Sequence, residues 1–246
     1  MVSKKELDSI YLTAGDGPLD YMYCYYNIQL FKKYLKDKDV LEMSTNLFSS
    51  LQLAEHSKRL SVVDGSEEKI ADLKSILEKK DTDRYANVSD VICTLFENFV
   101  PDRKYDEIVC LRALEHFDDP VGMLKRAGEW LKPGGYINLA VPNGYSLHRR
   151  LGVHLGFTQT PDEKTPGDLM KGHRRVYNLR TFTNEVEDAG YKVKLIRGCM
   201  VKMFSDEQMK SNNQLFNKKT YEGIFKLSQE IDPSLCSELF IRARLS

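Results

Sequence analysis

Two triplets of one composition, His148-Arg149-Arg150 and His173-Arg174-Arg175, flank a polar stretch, Thr158–Asp168, that holds two prolines. Guanidinium groups are planar forks that grip phosphate or carboxylate oxygens in pairs. Such clusters can therefore form a basic mouth for an anionic substrate, such as a phosphate, a carboxylate or a sugar nucleotide. They can equally be surface charge and cations closing helix C-termini. Glu115 and His116 form a second candidate group, because an imidazole that titrates near neutrality can take a proton from a hydroxyl or an amine. The competing role for this pair is to anchor its loop. Asp64 ends a β-branched run, where its carboxylate can take two hydroxyl donors at once or cap the helix that follows. Tyr177 offers a hydroxyl.

Other chemistries find less support. The five cysteines (Cys24, Cys93, Cys110, Cys199, Cys236) are odd in number and scattered, with no CxxC pair for a zinc site or redox dithiol. Cys93 and Cys110 sit in apolar runs and are expected in the core, and reduced thiols fit a cytoplasmic protein. Lys plus Arg and Asp plus Glu both number 36, so net charge attracts the chain to neither nucleic acid nor membrane. The first ten residues lack an apolar signal core, and no stretch approaches the roughly 20 apolar residues of a membrane helix. No metal is expected.

These residues need a frame, and 246 residues fit one α/β domain with insertions or a small appendage. Helices are expected over Asp20–Leu35, rich in tyrosine, and over Leu47–His56, Ser66–Lys79, Asp119–Leu131, Ser146–Leu155, Thr181–Ala189 and Phe216–Glu230. Strands are expected at Val40–Met43, Leu60–Asp64, Val88–Ile92, Tyr105–Leu111, Tyr136–Val141, Tyr191–Ile196 and Leu239–Leu245, with a turn at Lys132-Pro133-Gly134-Gly135. Strands alternating with helices imply parallel crossovers and a sheet covered on both faces. In such sheets ligands bind beyond the carboxyl ends of the strands, here after Met43, Asp64, Ile92, Leu111 and Val141.

Three segments carry a more specific likeness: Tyr105-Asp106-Glu107-Ile108-Val109, Ala113-Leu114-Glu115-His116-Phe117-Asp118-Asp119-Pro120, and Leu131-Lys132-Pro133-Gly134-Gly135. In this order and spacing the chain resembles the class I S-adenosylmethionine (SAM)-dependent methyltransferases over roughly Val40 to Pro142. Val141–Gly152 and Gly172–Tyr177 further resemble a bacterial branch acting on small molecules. The resemblance implies a Rossmann-like methyltransferase fold, with a mainly parallel seven-stranded sheet and helices on both faces. It also implies residues 1–36 as an N-terminal helical lid and 37–246 as the α/β domain, with a substrate-side insertion over about 144–180.

The same resemblance assigns a SAM site. The family's first loop reads V-L-E-x-G-x-G-x-G, against Val40-Leu41-Glu42-Met43-Ser44-Thr45-Asn46-Leu47-Phe48 here. Glu42 is retained, while Ser44, Asn46 and Phe48 stand at the glycine places. Asp64 matches the acid that holds the ribose hydroxyls, with Gly65 allowing close approach. Thr94, Leu95 and Phe96 match the adenine side, where the usual acid is missing unless Glu97 serves, and Leu111 and Ala113 line the cofactor. Glu115 and His116 are the implied catalytic pair, and Asn143, His148, Arg149, His173, Arg174 and Tyr177 the acceptor side. Two functions follow as expectations. One is methyl transfer to an O or N atom of a small molecule. The other is a non-catalytic, methyltransferase-like subunit that supports an active partner, its aromatic N-terminal helix serving as interface. A homodimer is a further expectation. Nucleic-acid modification ranks third, since the Asn/Asp-Pro-Pro-Tyr-type tetrapeptide of base-modifying relatives is absent.

Overall fold

The computed structural model describes residues 18–79, 84–212 and 214–245. The tyrosine-rich helix is α1 (Pro18–Phe31), followed by one 3-10 turn. β1 (Asp39–Met43), α2 (Leu47–His56), β2 (Arg59–Asp64), α3 (Glu67–Lys79), β3 (Val88–Cys93), β4 (Tyr105–Leu111), α4 (Pro120–Glu129) and β5 (Leu131–Pro142) come next. The remaining elements are α5 (Leu147–His154), α6 (Pro166–Met170), α7 (Leu179–Asp188), β6 (Tyr191–Cys199), α8 (Asp206–Ser211), α9 (Lys218–Ser228) and β7 (Glu238–Leu245). The strands form one seven-stranded sheet in the order β3-β2-β1-β4-β5-β7-β6. β1, β2 and β3 pair in parallel, while β7 runs antiparallel to β5 and β6. This is the mainly parallel Rossmann-like arrangement expected from the motifs, flanked by helices, with its antiparallel end.

The chain forms two compact units, 1–107 and 108–246. Residues 1–17 of the lid expected over 1–36 lie outside the described residues. In the first unit, α1 buries Tyr21, Met22, Tyr23, Tyr26, Ile28 and Phe31, so it is apolar almost all round and serves as core. Phe48, read above as the third glycine place of a loop, instead lies in the first turn of α2. It packs there against Tyr21 (ring centroids 6.2 Å, edge-on) and Tyr25 (5.9 Å). The loop between β1 and α2 is thus only Ser44–Asn46.

The second unit is built on Ile108, Val109, Ile137, Leu139, Phe182, Phe240 and Ile241, all fully buried. The Lys132–Gly135 turn is absorbed into β5. Gly134 alone takes left-handed backbone (φ 78°), so the chain still bends there while its neighbours stay with the strand. α8 was not expected, yet Ser205 and Gln208 form a capping box that starts it. Cys93 is exposed rather than in the core, because it ends β3 at the edge of the sheet, whereas Cys24, Cys110, Cys199 and Cys236 are buried. None of the five cysteines is in a disulfide. Among the described residues, no helix is long and apolar enough to cross a membrane.

Candidate active site

At the end of β1 the chain turns through Ser44 in left-handed backbone (φ 66°), a conformation for which glycine is the usual solution. The Ser44 amide donates to the Val63 carbonyl of β2 (3.0 Å), which pins the turn. The first of the three glycine places therefore keeps its glycine-type path without glycine. At the second place, Asn46 has extended backbone and caps α2. Its Oδ1 accepts from the Ser49 amide (2.8 Å), and the Ser49 hydroxyl accepts from the Asn46 amide (3.2 Å).

Glu42 is buried at the end of β1, and both its oxygens are met by serines of the first turn of α2. Ser49 donates to Oε1 and Ser50 to Oε2 (2.5 Å). Burial pushes its pKa from 4.5 up to about 8, against the opposing pull of the two serines. At neutral pH this carboxyl is mainly protonated. Its position makes it a brace between β1 and α2.

Asp64, at the end of β2, gathers the two neighbouring loops. Its Oδ2 accepts from the Thr45 amide (2.9 Å) and its Oδ1 from the Ser66 amide (2.8 Å), with Lys69 Nζ at 4.0 Å. Each oxygen keeps one further lone pair. Gly65 is packed closely, since a Cβ there would stand 2.9 Å from Leu95 Cδ2. Leu95 is 58% exposed and Phe96 half-buried in the turn after β3.

In the second unit, Leu111 ends β4, Ala113 follows it, and both are buried. The next residues form a 3-10 turn, Leu114–His116, with Glu115 buried and His116 exposed. This turn is strapped by the second His-Arg-Arg triplet. The Arg174 amide donates to the Glu115 carbonyl (2.9 Å) and Arg174 Nε to the His116 carbonyl (3.0 Å). Arg175 donates to the carbonyls of Leu114 (3.4 Å), Phe117 (2.7 Å) and Asp118 (3.0 Å). The rings of His116 and His173 meet edge to face at 5.0 Å.

The first triplet is also engaged within its own unit. Arg149 pairs with Asp168 and donates to the Pro161 (3.2 Å) and Glu163 (3.0 Å) carbonyls, and Arg150 donates to the Tyr145 carbonyl (2.7 Å). Burial, with Lys202 and Arg149 adding to it, holds His148 down to about 3, so it is neutral at physiological pH. Asp168 additionally meets His173 Nδ1 (3.0 Å) and the Thr165 amide (2.9 Å). Burial pushes the Asp168 carboxyl up, but His173, the Thr165 amide and Arg149 outweigh it and hold the group below the usual carboxylate range. Asn143 donates to the Ser234 and Cys236 carbonyls (both 2.8 Å), and the Tyr177 hydroxyl donates to Glu185 (2.6 Å).

The structure therefore brings Glu42, Ser44, Asn46, Asp64 and Gly65 together in one unit, and Glu115, His116, His173 and Arg174 together in the other. Asn143 and Tyr177 are neighbours, joined by an isolated bridge. Sequence reasoning missed Asp168, the hub of the second group. Thr165-Pro166-Gly167-Asp168 has capping-box spacing, and that was the available signal. Ser49 and Ser50 were also missed, because nothing in their spacing pairs them with Glu42.

A family model described as a methyltransferase domain matches residues 24–195. Among solved structures, the chain is similar to an S-adenosylmethionine-dependent methyltransferase from Clostridium acetobutylicum ATCC 824, with TM-score 0.61 and 12% identity over 98% of both chains. It is also similar to the N-methyltransferase NodS from Bradyrhizobium japonicum WM9, with TM-score 0.58 and 14% identity over 94% of this chain and 99% of that one. A third likeness is to a chain of the complex containing the Haloferax volcanii Trm112 methyltransferase activator, with TM-score 0.57 and 14% identity over 90% and 89%. At these identities the likeness is one of fold. No curated protein matches the chain.

Proposed function

The chain belongs to the methyltransferase-domain family, and from that premise we propose that it transfers a methyl group from SAM to an oxygen or nitrogen of a small molecule. The observation that carries this reading is the left-handed backbone at Ser44, a glycine-type turn kept at the end of β1 although no glycine is present. The residues present fit the cofactor: Asp64 has lone pairs to spare for ribose hydroxyls, and Leu95 and Phe96 offer apolar surface to an adenine. SAM supplies the electrophilic methyl when bound.

The chain's own residues supply the rest. Glu42 and Asn46 hold the first loop, Ser44 turns it, and Gly65 keeps the neighbouring loop close. Leu111 and Ala113 present apolar surface at the end of β4. His116, exposed on its turn, takes the proton of the acceptor hydroxyl or amine, while Glu115 lies beneath it. Arg174, whose side chain is 54% exposed and paired with the exposed Asp118, can exchange that partner for an anionic acceptor. Asn143, His148, Arg149, His173 and Tyr177 shape the acceptor side by holding its loops. The protein acts in the cytoplasm, with a homodimer or heteromer as its assembly.

One observation favours a second reading, a methyltransferase-like subunit supporting an active partner. Leu155, Phe157, Leu169 and Met170 are large apolar side chains exposed within 155–170.

Calorimetric titration with SAM and with its demethylated product decides between them. Binding should weaken at least tenfold in Asp64→Asn, and also in Leu95→Asp, whose exposed position spares the fold. Absence of binding at millimolar ligand would overturn independent catalysis and leave the subunit reading.

A further inference from the structure

Glu115, His116 and His173 bring one carboxylate and two imidazoles together, with their ligand atoms within 4.8 Å of one another. Three features of this cluster are left over by the role of a loop anchor. Glu115 is buried, yet its Oε2 has no hydrogen-bond partner, a costly arrangement for a carboxyl group that serves only to brace a turn. His173 is buried as well, and its Nδ1 faces Asp168 Oδ1 at 3.0 Å. That contact holds Nδ1 as the donor to Asp168 and makes Nε2 the nitrogen available to a ligand. His116 is exposed, giving the cluster an open side.

We propose that Glu115, His116 and His173 form a binding site for one divalent zinc-type cation, with Asp168 orienting His173 from behind. Two imidazoles, one carboxylate and an open position are a donor set suited to zinc, and a carboxylate behind a ligating histidine is its usual support. A four-coordinate ion with bonds of about 2.1 Å holds its ligand atoms about 3.4 Å apart. The ligand atoms, within 4.8 Å of one another, need to close by about 1.4 Å at most to reach that spacing. Of the cations around the cluster, Arg112 pairs with Glu238, Arg149 with Asp168 and Arg174 with Asp118, and the charges of Arg112 and Lys171 also act on Glu115. The absence of CxxC pairs argued against a zinc site and no metal was expected from the sequence, but a His/Glu set assembled from positions 115, 116 and 173 has no such signature.

The site rests on the methyl-transfer reading only in its use: with an ion bound, His116 holds the metal in place of acting as base, the open position would receive the acceptor's oxygen or nitrogen, and the ion would lower that group's pKa so that its proton leaves to water. Its test does not depend on turnover. The full chain is stripped with a chelator, dialysed against zinc, and its bound metal measured by atomic emission; cobalt is then substituted and its visible absorption recorded. The expected result is one zinc per chain, with cobalt bands typical of four or five nitrogen and oxygen ligands. His116→Ala, at an exposed position, and Glu115→Gln should each weaken uptake at least tenfold, while His154→Ala changes nothing. No uptake at about 10 μM free zinc, or uptake that survives both His116→Ala and Glu115→Gln, overturns the proposal. SAM calorimetry on the stripped protein separates the two claims. Zinc failing with SAM still bound removes only the metal site, and the reverse removes only the methyl-transfer reading.

Discussion

Replacing Glu42 with glutamine should remove a pH dependence that the native protein carries in its core. The carboxyl is buried between β1 and α2, and its pKa rises from 4.5 to about 8. Burial is the main cause. The Asp64 charge adds to it, while Ser49, Ser50 and Lys69 oppose it. In the interval between the two values the folded chain keeps a proton that the unfolded chain has released. The stabilising contribution of the protonated group is thus fully present below about pH 4.5, shrinks as pH rises, and is gone above about pH 8. An interval of about 3.5 pH units at about 1.4 kcal/mol each makes the change about 5 kcal/mol, as an upper bound. Glutamine is a neutral isostere of the protonated group and can give and take hydrogen bonds with the two serines. Urea unfolding of both proteins at several pH values and fixed ionic strength measures the effect by difference, so that all other titrating groups cancel. The two should be similar near pH 5, with the variant the more stable by several kcal/mol near pH 8. Parallel stability profiles across that range would refute the reasoning and show that Glu42 is ionised in the fold.

Ser44→Gly should raise stability by about 1 kcal/mol, a rise in Tm of about 2–4 °C by calorimetry, because left-handed backbone costs a serine roughly that much. A fall in Tm would show that the serine side chain contributes more than its backbone costs. Arg175→Ala removes three contacts to carbonyls in and just after the 3-10 turn and should cost about 2 kcal/mol in urea unfolding. Arg175→Lys should recover little of it, since a single ammonium cannot span three acceptors as the planar fork does. Ellman's reagent should find one fast thiol in the native protein, lost in Cys93→Ser, with the other four reacting only on unfolding. A second fast thiol would reveal local opening around one of the buried cysteines.

Much of the frame was legible. The strand Tyr105–Leu111 and the helix Leu47–His56 were bounded as observed, because apolar periodicity and the flanking polar residues agree there. What escaped was chemistry that depends on contacts between distant residues. Glu42 reads as a charged loop acid in the linear chain, and only its burial against two serines makes it a neutral brace. The His-Arg-Arg triplets read as a cationic mouth, but all four of their guanidinium groups reach backbone carbonyls, which no side-chain pattern announces. Asp168 lies within a stretch read as a polar loop, yet it joins Arg149, Thr165 and His173. At Phe48 two readings disagreed: periodicity placed it in the helix Leu47–His56, as observed, while the motif template placed it at a glycine position of the loop.

Asp64 has a consequence for evolution and for engineering. Its carboxylate receives the amides that open both adjoining loops, so the residue that would hold a ribose is also a keystone of the surrounding turns. Selection for folding alone would keep an acid here in a lineage that had stopped using the nucleoside. Libraries screened for thermal tolerance should return aspartate at this position whatever happens to turnover. Persistence of Asp64 among descendants is therefore a marker of architecture, and recruitment to a new ligand would leave this carboxylate in place while the exposed side chains around it drift.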